Sequence, residues 1–257
     1  MENISIPKPS PAYKSISQAA NILVCLSHNI NKLTEIAADC KITKPTAYRL
    51  LKALERANLV LQDSLNHQYY LGSLLYDISS DISSKHQQLL LNSLEEIKGL
   101  AKYTEETVAM GVMDGLKFTK LYEIPSNHDL KITESLKNVT WVDITSPPPP
   151  MKVTLAQLDD NTLQQLFRKV NNNHNDIEAT LLPQLQLVRQ RGYCVSYSQT
   201  VVGGACVSVP IHNYFSPVVL SVLGPEVRMK NREASILQEA TATAVRISQK
   251  ISNKFVK

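Results

Sequence analysis

The chain has 257 residues, 43% of them hydrophobic, which is enough for two domains with their own cores. Its 27 Lys and Arg against 23 Asp and Glu leave a net charge of +4, so any nucleic-acid contact has to come from local clustering of charge rather than from the total. No run approaches the ~20 apolar residues of a membrane span, which excludes a helical membrane protein.

The first stretch, MENISIPKPSPAYKS, has no basic start followed by an apolar run, so no secretory signal is expected. Its prolines and polarity predict a flexible arm over residues 1–12. Ile16, Ala19, Ala20, Leu23 and Leu26 then repeat at helical spacing and predict a first helix with those side chains inward. A second helix is expected from an N-cap at Thr34, burying Ile36, Ala37 and Cys40. After the short turn Lys41-Ile42-Thr43 comes a third helix, capped by Thr43 or Lys44, with Pro45 in its first turn where a missing N–H does no harm.

At 100° per residue, Ala47, Leu50, Leu51 and Leu54 fall in one arc of the third helix. Pro45, Arg49, Lys52 and Arg56 project opposite, with Tyr48 at the edge. Between Lys41 and Arg56 there are five basic residues and a single acid, Glu55. Leu59-Val60-Leu61 and Gln68-Tyr69-Tyr70-Leu71 flank a polar turn and predict a hairpin, which in this position is a wing. Helix, helix, tight turn, helix and hairpin form the winged helix-turn-helix order, whose last helix enters the major groove of DNA. The expected contact set is Lys44, Pro45, Thr46, Tyr48, Arg49, Lys52 and Arg56, with Asn66 and His67 from the wing. Arg49 suits a bidentate guanine contact. Thr46 and Tyr48 suit base edges or phosphate, and Lys44, Lys52 and Arg56 suit phosphate.

Leu74 to about Lys102 has helical periodicity, with serines 79, 80, 83 and 84 thinning the apolar stripe. We read the chain as an arm (1–12), a winged helix-turn-helix domain (13–77), a linker helix (78–92) and a second domain (93–257). In the second domain, Thr107–Met113 and Phe118–Ile124 around Asp114-Gly115 predict a hairpin. Leu155–Val170 and Ile177–Arg191 read as helices, and the proline run 147–150 as a loop. Cys194–Tyr197, Ala205–Ile211 and Pro217–Leu223 read as strands, and Glu226–Ser252 as one amphipathic terminal helix. The fold class is therefore α+β, with an antiparallel or mixed sheet flanked by helices.

These motifs, taken together, resemble the IclR family of bacterial transcription regulators over nearly the whole length. The resemblance rests on Ser15-Ile16 through Leu26, Leu33-Thr34-Glu35-Ile36-Ala37, Lys44 through Leu51, and Tyr70-Leu71-Gly72 in the first half. In the second half it rests on Glu106-Thr107-Val108, Asp114-Gly115, Arg191-Gly192-Tyr193, Gly204 through Ile211, and Ser221 through Pro225. It implies a GAF-like C-terminal effector domain, a homodimer or dimer of dimers on double-stranded operator DNA in the cytoplasm, and control by a small metabolite, a carboxylate or an aromatic. Neither a cofactor nor a metal is implied.

The resemblance also implies an effector site. Cys206 and Ser221 fit the family pattern, Leu223 stands where a second serine is usual, and Ser196 stands where an acid is usual. The loop with Thr145 and Ser146 aligns with the family's ligand-cradling loop. Ser208 joins the candidate set, and Trp141, the only tryptophan, just before the proline run, is read from its position as either core packing or a pocket wall. Prolines 147–150 supply no backbone N–H, so the carboxylate cradle is incomplete. Two readings stay open: a more apolar ligand, or a DNA-bound oligomeric scaffold with no ligand. A remote alternative is an enzyme with Cys206 as nucleophile and His212 as base. Six residues of extended strand, roughly 20 Å, argue against that pair.

Overall fold

The computed structural model describes residues 14–115, 117–133, 146–170 and 174–255. The expected arm 1–12, Trp141 and Thr145 lie outside the described residues. The chain forms two compact units that divide between Lys85 and His86.

The first unit contains α1 (Lys14–Ser27), α2 (Leu33–Asp39), α3 (Lys44–Arg56), the two-stranded antiparallel hairpin β1 (Val60–Gln62) and β2 (Tyr69–Leu71), and the start of α4 (Ser73–Thr104). Its core packs Ile22, Cys25 and Leu26 of α1 with Ile36 of α2, Leu51 and Leu54 of α3, Val60 and Tyr69. Each helix therefore buries one apolar stripe, as its periodicity predicts. Two details differ from the sequence reading. Ile16 is 69% exposed, because α1 makes its core contacts from the turns after it. Thr34 is inside α2 rather than at its cap. The cap is Lys32, whose side chain makes no capping hydrogen bond.

The second unit is built on a five-stranded sheet, with β3 (Thr107–Asp114), β4 (Lys117–Ile124), β5 (Cys194–Tyr197), β6 (Gly204–Ile211) and β7 (Val218–Pro225) in the order β4-β3-β7-β6-β5. Every pairing is antiparallel, which settles the antiparallel-or-mixed alternative. One face carries Val108, Met110, Val112, Val207, Val209, Leu220 and Val222 against the C-terminal half of α4 and against α9 (Glu233–Phe255). Arg246 and Lys250 of α9 each place a nitrogen 2.7 Å from the Glu96 carboxylate of α4, holding that carboxyl below the usual range. Met113, Phe118 and Val219 meet the other layer, made by α5 (Pro149–Ala156), α6 (Asp160–Val170) and α7 (His174–Arg191).

Three segments depart from the expected boundaries. The prolines do not form a loop throughout, since Pro149 and Pro150 open α5. The single helix expected over Leu155–Val170 is broken at Asp159. Its carboxylate accepts from Thr162 N at 2.9 Å and Thr162 Oγ1 at 2.6 Å and so starts α6. The terminal stretch is also two helices, α8 (Glu226–Asn231) and α9, separated at Arg232. The expected linker 78–92 lies within the 32-residue α4.

Candidate functional site

The first candidate surface is α3 with its wing. Thr43 caps the helix from an extended conformation, its Oγ1 accepting from Thr46 N at 3.4 Å and contacting Thr46 Oγ1 at 2.9 Å. Ala47, Leu51 and Leu54 are buried and Leu50 half-buried, which fixes the rotation of the helix. Lys44, Pro45, Tyr48, Arg49 and Arg56 are consequently exposed, and Thr46 is half-buried. Among the described residues, no ion pair or hydrogen bond engages the side chain of Arg49 or Arg56.

Lys52 is placed differently from that group. Its Nζ lies 2.7 Å from Glu55 Oε2 and donates to Gln62 Oε1 of β1 at 3.0 Å, with the Tyr48 ring centroid 5.9 Å away. The partnership with Glu55 raises the pKa of this amino group. Lys52 therefore ties the third helix to the wing, while Arg49 and Arg56 carry free charge outward. Sequence periodicity gave its direction, but Gln62 comes from a different element and could not be seen in the helical pattern.

The wing turn is braced by its own polar groups. Asp63 Oδ1 accepts from Leu65 N at 2.8 Å, and Asn66 Oδ1 from Gln68 N at 2.8 Å. Asp63 N donates to Gln68 O at 2.8 Å, and His67 takes a left-handed φ of 56°. Asn66 and His67 are both exposed. Leu65, which the sequence reading did not single out, is 91% exposed at the tip.

The second candidate is a small cavity in the C-terminal unit, about 60 Å³ in volume. Strand register explains its floor. Ser196 pairs with Cys206 and Cys206 with Leu223, so one row crosses β5, β6 and β7 on the face opposite the α4–α9 layer. All three line the cavity. Ser208 and Ser221, in the next row, are buried, with their hydroxyls 2.9 Å apart and Cys206 Sγ 3.3 Å from Ser208 Oγ. Ser146 is exposed and does not line the cavity.

The remaining walls are Ile132 and Thr133, Pro148 to Pro150, Gln199 to Val201, Gly204 and Ala205. Apart from the proline run and Gly204-Ala205, which lie in a motif of the family resemblance, these walls carried no signal in the sequence, because they meet only through tertiary structure. No charged side chain lines the cavity among the described residues. The Cys206–His212 pair is not assembled, since β6 stays extended from Gly204 through Ile211, leaving His212 roughly 20 Å along the strand. Among the described residues there is no metal-holding group of His, Cys, Asp or Glu, and no helix is long and apolar enough to cross a membrane.

Residues 15–64 match the IclR helix-turn-helix domain, and residues 84–249 match the C-terminal domain of bacterial IclR transcriptional regulators. The chain belongs to the IclR family. Similar proteins include the transcriptional regulator KdgR of Escherichia coli, 25% identical over 98% of this chain and 96% of that one. Among solved structures, an IclR family regulator from Brucella abortus superposes with a TM-score of 0.63 at 20% identity, covering 93% of this chain and 92% of that one. An IclR homologue from Microbacterium hydrocarbonoxydans, crystallised with 4-hydroxybenzoate, gives 0.56 at 14% identity, covering 93% of this chain and all of that one. This IclR-family chain is thus a DNA-binding transcriptional regulator, and the family and relatives are regulators rather than enzymes.

Proposed function

We propose that this regulator acts in the cytoplasm as a homodimer or dimer of dimers whose affinity for operator DNA is set by a small uncharged ligand in the cavity at the N-terminal end of α5. The observation that carries the DNA-reading half is the exposure of Arg49 and Arg56, free of ion-pair and hydrogen-bond partners among the described residues, on a helix whose opposite face is locked into the core. Arg49, in the second turn, is the base-reading residue. Lys44 and Arg56 neutralise phosphate, Pro45, Thr46 and Tyr48 pack along the groove wall, and Asn66 and His67 approach the backbone from the wing. Lys52 acts mainly by holding the wing to α3.

Self-association is supported by the apolar surface of the first unit. Tyr76 of α4, 74% exposed, lines a groove with Leu23, Val24, Leu71 and Leu75, and Ile78 and Ile82 are 53% and 44% exposed elsewhere on the same helix. A second copy covering that face would place two readers on successive major grooves. The continuous α4 would then carry a change in the effector domain to the spacing of the readers.

Alanine at Arg49 is expected to weaken binding to a DNA site selected from random sequence by about 1–3 kcal/mol and to relax preference at one position. Alanine at Arg56 should weaken all sequences alike and reduce the salt slope by about one. Unchanged affinity and site preference in the Arg49 variant would remove it from the reading surface.

The ligand class follows from α5. Pro149 and Pro150 occupy the first two positions of that helix, where backbone N–H groups would otherwise face an anion. With those two donors gone and no charge among the described lining residues, the site suits a neutral, mostly apolar molecule better than a carboxylate. In a thermal-shift comparison of 4-hydroxybenzoate with neutral 4-hydroxybenzaldehyde and p-cresol, the neutral compounds should stabilise more. A ligand at about 100 Kd adds roughly 2.7 kcal/mol. A larger shift with the carboxylate would overturn the ligand class, and no shift across a wide metabolite panel would favour the scaffold reading.

A further inference from the structure

We propose that Cys25 and Cys40 are a modification site: a hydroperoxide joins them in a reversible disulfide that staples α1 to the turn of the helix-turn-helix. Their sulfurs lie 3.3 Å apart although the residues are 15 positions apart in sequence. Cys25 is 2% exposed in the core, while Cys40 is half-buried at the C-terminal cap of α2 and reachable by a small oxidant. A disulfide requires about 2.05 Å, so the sulfurs need to close by little more than 1 Å.

The third member of the cluster is Asp39, whose Oδ2 accepts from Cys25 Sγ at 3.0 Å. Cys25 has a single proton. When it donates that proton to Asp39, the Sγ–Sγ contact is made by the Cys40 proton, giving a chain from Cys40 through Cys25 to the carboxylate. Burial pushes both thiols up, so the pair stays protonated at neutral pH and its oxidation is slow, needing a hydroperoxide in sustained excess.

The chemistry balances with a hydroperoxide as oxidant. Cys40 gives two electrons to the O–O bond, taking one oxygen as sulfenic acid and releasing an alcohol, or water from hydrogen peroxide. Cys25 then attacks the Cys40 sulfur. Its proton passes by way of Asp39 to the departing hydroxide, which leaves as water, and the S–S bond forms.

The consequence for DNA follows from position. The residue after Cys40 is Lys41, in the left-handed region at φ 53°, followed by Ile42 and then by Thr43, the cap of α3. Drawing Cys40 toward α1 displaces this turn and with it the start of the helix that carries Arg49.

The test treats the full-length protein with hydrogen peroxide. Two of the four thiols should be lost, and a peptide map without reductant should show Cys25 linked to Cys40. Dithiothreitol should restore both thiols, and neither Cys25→Ser nor Cys40→Ser should form the link. Affinity for the selected DNA site should fall about fivefold or more on oxidation and recover on reduction. The map of the wild-type chain decides the chemistry even if Cys25→Ser, which alters the core, fails to fold. Cys40 found as sulfinic acid without a linked peptide, or a bridge through Cys194 or Cys206, overturns the proposal. So does a Cys25–Cys40 bridge that leaves DNA affinity unchanged.

Discussion

Alanine in place of Arg228 is expected to cost the C-terminal unit about 3 kcal/mol, read as a shift of the urea midpoint with an unchanged slope. The reason is Glu106, only 3% exposed and immediately before β3. Arg228 Nε and one terminal nitrogen reach its two oxygens at 2.5 and 2.8 Å, a two-pronged contact between residues 122 apart in sequence. Removing the arginine leaves a buried carboxylate without its counter-charge, which costs far more than the pair itself contributes. Gly224 shows how closely the carboxylate is fitted, since a Cβ there would meet Glu106 Oε2 at 2.6 Å. Lysine at 228 should recover only part of the loss, because one ammonium cannot grip both oxygens. Adding Glu106→Gln to the alanine variant should recover most of it, because a buried amide costs less than a buried charge. Arg228 also donates to Leu130 O at 2.9 Å, two residues before Ile132, which packs on Cys206 and Leu223 in the cavity wall. Cavity binding should therefore weaken along with stability. A loss below about 1 kcal/mol would mean that water reaches Glu106 freely.

Particular residues show which parts of this molecule were legible before any coordinates. The third helix was, because its leucines repeat at helical spacing, Pro45 can stand only near a start, and Thr43 is a cap by chemistry. The strands were legible because Val218, Leu220 and Val222 face one layer while Val219 faces the other. Register then placed Ser196, Cys206 and Leu223 in one row, which no single strand pattern could give. The two missed helix breaks, α5/α6 and α8/α9, share a cause: periodicity continues across a break when both helices bury the same side. Asp159 illustrates this, since the Asp-x-x-Thr capping signal that starts α6 sat within a run of well-spaced apolar residues. Lys52 and Arg228 illustrate the other limit. Their partners, Gln62 and Glu106, belong to different elements, so local sequence shows a cation and tertiary structure decides whether it faces water or carboxylate.

Gly72→Ala should damage the DNA-reading unit by about 3 kcal/mol, the upper end for forcing extra volume into a packed site. A Cβ at Gly72 would lie 2.2 Å from Asn58 O and under 3 Å from Asn58 C and Leu59 C. All of these are backbone atoms, so no side-chain rotation relieves the clash. The contact is where the chain leaving β2 crosses the end of α3. Gly72 N donates to Leu59 O at 2.9 Å, Leu74 N donates to Asn58 O at 3.2 Å, and Asn58 itself holds a left-handed φ of 56°. Making room for one methyl means separating the wing from the helix that carries Arg49, so stability and DNA affinity should fall together. Faster amide exchange in Val60–Gln62 and Tyr69–Leu71 would report the separation directly. Gly99→Ala is the matched control, because nothing lies within 4 Å of a Cβ there and the residue is exposed in α4. Alanine at that position should stabilise by about 0.5–1 kcal/mol through helix propensity alone. If both variants behaved alike, the crossing at Gly72 would have to be looser than its backbone contacts require, and the rigid coupling of wing to reading helix would fail with it.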